Sequence, residues 1–272
     1  QSIEIDSNFA PSYAAMGYSV MTKGGFAGEV GRDDIISNST YYLDKALDLD
    51  PDYPLTHQIL GSFNLWYHWD FEAAEREFLR YEQLNPSSLN GNILDFYNST
   101  GKFDKAKRLA EKIYAVDPGN LNSWSRRGLA YSLTGDHIIA NAYYEKGMQL
   151  FPESWYIKSE AIRAFTFSGQ YERVIELVNT FEEPVPRDLG LLAIAYYHTS
   201  NGTKVNNLIN SLQSLSQANP AGSPSYYLAM VYAQMGEINT SFEWLEKAYL
   251  EREVEMYWLM VEPPFKPLHD DP

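Results

Sequence analysis

The sequence predicts an all-α chain, an α-solenoid of about seven stacked helix-turn-helix repeats, and three observations predict it. Six prolines, Pro51, Pro86, Pro118, Pro152, Pro186 and Pro220, stand 35, 32, 34, 34 and 34 residues apart. The residues between them repeat one aromatic, small and apolar pattern. The chain is 44% hydrophobic, yet no segment approaches 18 consecutive apolar residues, which excludes a membrane-spanning helix and spreads the apolar content along the whole length. A period near 34 suits two antiparallel helices whose apolar faces are covered only when copies pack side by side.

The fourth repeat shows the pattern most fully. Trp124, Gly128 and Tyr131 lie three and four apart, so they share one face of a first helix, and Ala140 with Tyr144 shares one face of a second. Gly128 and Ala140 let the two backbones approach, while Trp124, Tyr131 and Tyr144 fill the space beside them. Gly135 stands where the first helix should end, since glycine tolerates the left-handed conformation of a helix C-cap without penalty. Pro152 closes the unit, because it has no N–H to donate and drives Phe151 out of helical geometry.

The same frame runs along the chain in order. Residues Gln1 to Asp6 read as the end of a truncated preceding repeat, with Ser7 at the closing-proline position. The first full unit carries Tyr13, Met16, Gly17, Val20, Ala46 and Pro51, with an insertion over 22–38 between its helices. The second carries Leu60, Gly61, Ala74, Phe78 and Pro86, and the third Ile93, Tyr97, Gly101, Phe103, Ala106 and Pro118. The fifth keeps Ala161, Phe165, Gly169, Tyr171 and Pro186, and the sixth Leu192, Ala195, Leu208, Leu212 and Pro220. The seventh keeps Leu228, Ala229, Tyr232, Gly236, Ile238 and Ala248 but has a glutamate-rich end in place of the proline. The array thus spans 7–251, and 252–272 read as a C-terminal capping helix and tail.

Charge narrows the partners. The net charge of −15 argues against a nucleic-acid or anionic-membrane surface, since phosphate binding needs a concentrated positive field. Residues 101–127 hold seven bases (Lys102, Lys105, Lys107, Arg108, Lys112, Arg126, Arg127) against three acids, and read as the solvated face of a second helix. Residues 237–272 hold nine acids against three bases, and Glu251, Glu253 and Glu255 read as surface charge.

Motifs for chemistry are missing from the pattern, so the expectation is a non-enzyme without cofactor or metal. The five histidines are scattered, none at the spacing of a helix-borne zinc site, and there is no cysteine to serve as thiolate or disulfide. Gly24, Gly25, Gly28 and Gly31 are not followed by Gly-Lys-Ser/Thr and read as a flexible insertion. Four sequons begin at Asn38, Asn98, Asn201 and Asn239 and read as chance motifs.

A partner is expected in the concave groove, on the non-core positions of the first helices. By the frame these are Gln58, Trp66, Asn92, Ser125, Arg126, Leu129, Tyr156, Ser159, Glu160, Arg163, Tyr197, Tyr226, Tyr227 and Met230. Tyr, Trp, Arg and Met are the types enriched at interface cores. Arg126 and Arg163 stand in adjacent repeats on the same inward face, placed to grip a carboxylate or phosphate.

On these marks the chain resembles the tetratricopeptide repeat family over nearly its whole length; in the fourth repeat Arg127 alone departs, at a position where that family prefers leucine. The resemblance implies a right-handed superhelix that holds a peptide or partner protein in its groove. Members that bind chaperone tails use a clamp of lysines and asparagines; the corresponding positions here carry Ser125, Leu129, Ser159 and Arg163. The run from Trp66-Tyr67-His68-Trp69 to Leu84-Asn85-Pro86, and the ending from Tyr257-Trp258 to Asp271-Pro272, resemble arrays attached to microbial class III adenylate/guanylate cyclases and related signalling proteins. That resemblance implies a cytoplasmic accessory module of a larger signalling protein, or a homodimerising domain that regulates an upstream enzyme or DNA-binding domain.

Overall fold

Prolines and left-handed residues set the helix ends, and the helices between them are amphipathic pairs. The computed structural model describes residues 6–27, 32–86, 89, 91–119, 121–218 and 221–269, and among these there is no strand. Gln1 to Ile5 and Pro220 lie outside the described residues. The chain divides into two units, Gln1–Ser88 and Leu89–Pro272.

The first unit holds α1 (Ala10–Ala27), α2 (Arg32–Leu49), α3 (Pro54–Phe63), a π-helical turn (Asn64–His68) and α4 (Phe71–Leu84). The expectation of a flexible insertion over 22–38 is corrected here. Gly24 and Gly25 continue α1, and α2 begins at Arg32, so the surplus lengthens both helices to 18 residues; Gly28 and Gly31 lie outside the described residues. Burial of Ile35 on α2, in line with Leu43 and Ala46, supplies the reason, because the added turns continue the apolar face of the helix. The tryptophan-rich stretch forms the wider π turn and ends at Trp69 with φ 54°. Tyr67 Oη then donates to the Met21 carbonyl at 2.6 Å, and Arg32 donates to the Tyr67 carbonyl at 2.6 Å. The aromatic stretch therefore binds the second helix pair to the first. Asp70 caps α4 by accepting from the Ala73 N–H at 2.8 Å.

The second unit holds α5 (Gly91–Ser99), α6 (Phe103–Val116), α7 (Leu121–Ser132), α8 (His137–Leu150), α9 (Trp155–Phe167), α10 (Tyr171–Val178), α11 (Pro186–His198), α12 (Gly202–Ala218), α13 (Pro224–Met235) and α14 (Ile238–Leu250). Two 3₁₀ turns follow, Val254–Trp258 and Pro263–Leu268. One turn recurs inside the pairs: Asp136 N–H returns to the Tyr131 carbonyl at 3.1 Å around Gly135 (φ 80°), and Gln170 N–H to the Phe165 carbonyl at 2.8 Å around Gly169. In the sixth pair Ser200 takes this left-handed place at φ 60°. Pro186 does not close the fifth unit; it opens α11 at its first turn, where a missing N–H costs nothing, and α10 stops eight positions earlier at Val178.

A second regularity confirms the register. Tyr13 Oη donates to the Ser7 carbonyl at 3.1 Å, His57 Nε2 meets the Pro51 carbonyl at 2.8 Å, and Trp124 Nε1 donates to the Pro118 carbonyl at 2.8 Å. Each anchor lies six residues beyond the closing position, Ser7 included. Arg127 fills its leucine position as a flat cation, 4.1 and 4.0 Å from the Tyr114 and Tyr143 ring centres and paired with Glu111. The basic run is likewise not simply solvated: Lys107 pairs with Asp136 and lies over Tyr131, and Lys105 lies over Tyr97. The sequon at Asn98 is closed, since Asn98 is 0% exposed.

Gly128 packs against the face of Tyr144, and an added Cβ would stand 2.5 Å from that ring. Gly128→Ala is expected to cost about 1–3 kcal/mol by overpacking. Trp124→Ala, which empties a site 6% exposed and deletes the bond to Pro118, should cost about 3–5 kcal/mol. Urea unfolding followed by circular dichroism measures both, and unchanged midpoints would show that the frame is displaced.

Candidate interaction surface

Helices α2, α4, α6 and α8 each have a proline two residues past their last, at Pro51, Pro86, Pro118 and Pro152. After α14 that position holds Arg252, whose φ is 56°. Proline is locked near φ −65° and excludes this value. The missing rung thus permits a left-handed turn, closed by Glu253 N–H to the Ala248 carbonyl at 2.9 Å. The chain folds back over the first helices of its own unit.

The returning segment is held at both ends and in the middle. The Glu253 carboxylate accepts from the backbone N–H groups of Ser225 (3.0 Å) and Tyr226 (2.7 Å), the unpaired donors that begin α13. Trp258 is 3% exposed, with the Arg163 guanidinium of α9 4.6 Å from its ring centre. Glu262 pairs with Arg163 Nη2 at 2.5 Å and accepts from Tyr226 Oη at 2.6 Å. Phe265 is fully buried against Tyr226, and Gln234 donates to the Pro264 carbonyl at 2.8 Å.

Beneath it lies a layer of paired charges. Arg187 donates to Glu160 at 2.7 Å and to Ser159 Oγ at 2.8 Å, and Ser159 donates to Asp188 at 2.5 Å. Glu160 also faces Arg163 at 3.9 Å. Burial works against the charge of Arg163 and Arg187, but the carboxylates around them outweigh it and hold both above the ordinary arginine value. Farther along, Arg126 meets Asp95 at 2.9 Å, Asn92 at 3.3 Å and the Gly91 carbonyl. Burial raises the Asp95 carboxyl, opposed by Arg126.

The sequence-derived groove residues therefore divide. Ser159, Glu160, Arg163, Tyr226 and Tyr227 meet in the charged layer or against the returning segment. Arg126 and Asn92 join at Asp95, and Tyr156 is half-buried beside Ser125 and Arg126. Ser125, Leu129 and Met230 are buried, and the Ser125 carbonyl accepts from Tyr144 Oη. Tyr197 remains 39% exposed, edge-on to His198. Gln58 is half-buried and Trp66 buried in the first unit.

The repeat frame does not point to Glu253, Glu255, Glu262, Trp258, Phe265 or Arg187. The reading of Glu253 and Glu255 as surface charge is corrected: Glu253 is 2% exposed, and Glu255 is half-buried and faces Arg187 and Arg163. The expected capping helix is two 3₁₀ turns. The available signal was Arg252 in a proline's place.

Burial lifts the carboxyls of Glu253 and Glu255 from 4.5 to about 7. Glu253 faces the Ser225 and Tyr226 N–H groups and Glu251, while Glu255 faces Arg187, Arg163, Glu262 and Glu160. Between these values the folded chain binds protons that the unfolded chain has released, so their contribution to stability is present below pH 4.5 and falls as pH rises through about 7. The melting temperature is expected to drop from pH 5.5 to pH 7.5, and Glu253→Gln with Glu255→Gln should flatten that slope in parallel melts. An unchanged slope would show that these carboxyls do not titrate in the window.

Among the described residues no group of three or more His, Cys, Asp or Glu is placed to hold a metal ion, and no helix is long and apolar enough to cross a membrane. No family model matches the chain. It is similar to Superkiller protein 3 of Schizosaccharomyces pombe, 22% identical over 190 residues, which are 65% of this chain and 13% of that protein. Its structure is similar to Pseudomonas aeruginosa PilF (TM-score 0.54, 15% identity, 76% of this chain and 91% of that one). It is also similar to a chain of the APC/C Cut9–Hcn1 hetero-tetramer (0.58, 15%, 87% and 46%) and to human IFIT1, solved as a dimer with PPP-AAAA (0.56, 18%, 92% and 66%). At these identities the likeness shows the fold, an all-α solenoid of tetratricopeptide type.

Proposed function

We propose that the chain is a non-catalytic interaction scaffold that holds a peptide or partner protein in a concave groove along the first helices of Leu89–Pro272. One observation supports this reading above the others: that face already holds a segment of two 3₁₀ turns, residues 253–268, through the acid-binding Arg163 and the aromatic side of Tyr226. The side chains that take it up are the Arg and Tyr types that dominate binding energy at interfaces. Nucleic acid stands outside the proposed partner class, because the arginines of this face are matched by Asp95 and Glu160 and the net charge is −15. The cyclase-type resemblance of residues 66–86 and 257–272 supports the further proposal of a cytoplasmic accessory module in a larger signalling protein.

The test uses the chain with Arg252→Pro, which forbids the return turn and opens the face. A random phage-displayed peptide library panned on this variant is expected to yield binders that lose about tenfold or more in affinity when Arg163→Met is added, with helical content unchanged. Failure to recover any binder, or binders indifferent to Arg163, would remove the groove from the proposal.

A further inference from the structure

We propose that residues 253–268 are a resident, displaceable ligand of the first-helix face, so that a partner bearing an acidic and aromatic segment gains the face by expelling the tail about Arg252. The proposal rests on the reading of that face as a binding surface and adds what it takes and how access to it is controlled.

Four observations carry it. The segment touches the face as a separate peptide would, through spaced anchors. Glu253 sits on the first N–H groups of α13, Trp258 under Arg163, Glu262 between Arg163 and Tyr226, and Phe265 on Tyr226. Nothing in these contacts requires covalent continuity with α14.

The second is charge. Without the segment, the ion pair that Arg163 keeps among the described residues is the one to Glu160, at 3.9 Å and already shared with Arg187 at 2.7 Å. A guanidinium left with a shared and distant carboxylate is poorly matched, so the vacated face selects an occupant that brings a carboxylate to it.

Third, the connection is a single turn. Arg252 takes a left-handed conformation that a non-glycine residue resists, and on one side of it α14 is complete through Leu250. Rotation at this point moves the whole segment and leaves the helix intact.

Fourth, the segment has an accessible side. Met260 is 71% exposed, and Lys266 and Pro267 are exposed between buried Phe265 and Leu268. A competitor can therefore begin to replace it without the array first unfolding.

The absence of native cysteine gives a direct test. Spin labels at Lys266→Cys and Ile138→Cys, both at exposed positions, report the distance from the tail to α8 by pulsed electron paramagnetic resonance. The probe is a synthetic peptide with the sequence of residues 252–269. Alone, the labelled chain is expected to show one narrow distance distribution, and saturating peptide should add a second, longer and broader one. In anisotropy titrations Arg252→Pro should bind the peptide about tenfold or more tightly than the unaltered chain, since a competitor is removed. Arg252→Gly, which accepts φ 56°, should behave as the unaltered chain.

Peptide that binds without altering the distances, equal affinity for the unaltered and Arg252→Pro chains, or equal displacement by a scrambled peptide would overturn the proposal. The distance measurement needs no destabilised variant, so it tests displacement even if Arg252→Pro unfolds. Library binders that depend on Arg163 yet carry no acidic or aromatic residues, and leave the tail in place, would overturn it while the scaffold reading stood.

Discussion

The first, second and fourth helix pairs depend on a close approach that only a small residue allows. An added Cβ would lie 3.0 Å from Leu43 at Gly17, 2.7 Å from the Phe78 ring at Gly61 and 2.5 Å from the Tyr144 ring at Gly128. The second helices of these pairs answer with Ala46, Ala74 and Ala140, and those of the third and seventh pairs also carry an alanine, Ala106 and Ala248, all 0% exposed. Close backbones put large rings beside small residues at interior density, and the dispersion gained there is lost if the pair is prised apart by even a methyl group. Gly190 extends the rule between repeats, since its missing Cβ admits Tyr227 of the next first helix at 2.7 Å.

Upon this apolar frame the second unit lays an unusual amount of buried charge. Such pairs are poor stabilisers, because attraction in a low-dielectric setting mainly returns what desolvation took away. Their value is selectivity. Arg163 tolerates few neighbours other than carboxylates and flat rings, and it has both, in Glu262, Glu160 and Trp258. Packing alone would accept many apolar segments over these helices; the guanidinium accepts far fewer.

The repeat architecture was legible in the chain because each mark answers a strict local demand: glycine at a left-handed turn, proline after a helix, a small residue at a crossing. Ser200 and Pro186 escaped because context overrode those demands, the first by taking a glycine's conformation and the second by opening a helix it was expected to precede. The candidate surface was legible only by halves. First-helix positions follow from periodicity, so Ser159, Glu160, Arg163 and Tyr226 could be named. What covers them depends on the direction the chain takes after Leu250, a long-range outcome decided by one backbone angle at Arg252. Glu253 and Glu262 look like solvated acids in sequence because nothing near them in the chain reveals the N–H groups and guanidinium that they meet.

A repeat array is ordinarily one-dimensional: each unit touches its neighbours, and stability is a running sum along a line. The eight-residue α10 would be the thin place in such a sum. The returning segment changes the topology of that line, since Glu262 joins Arg163 of the fifth pair to Tyr226 of the seventh across the sixth. Fraying in this stretch must then break a ring rather than a chain. Three helix pairs that would otherwise melt one after another are coupled into a single cooperative block, with the short helix inside it.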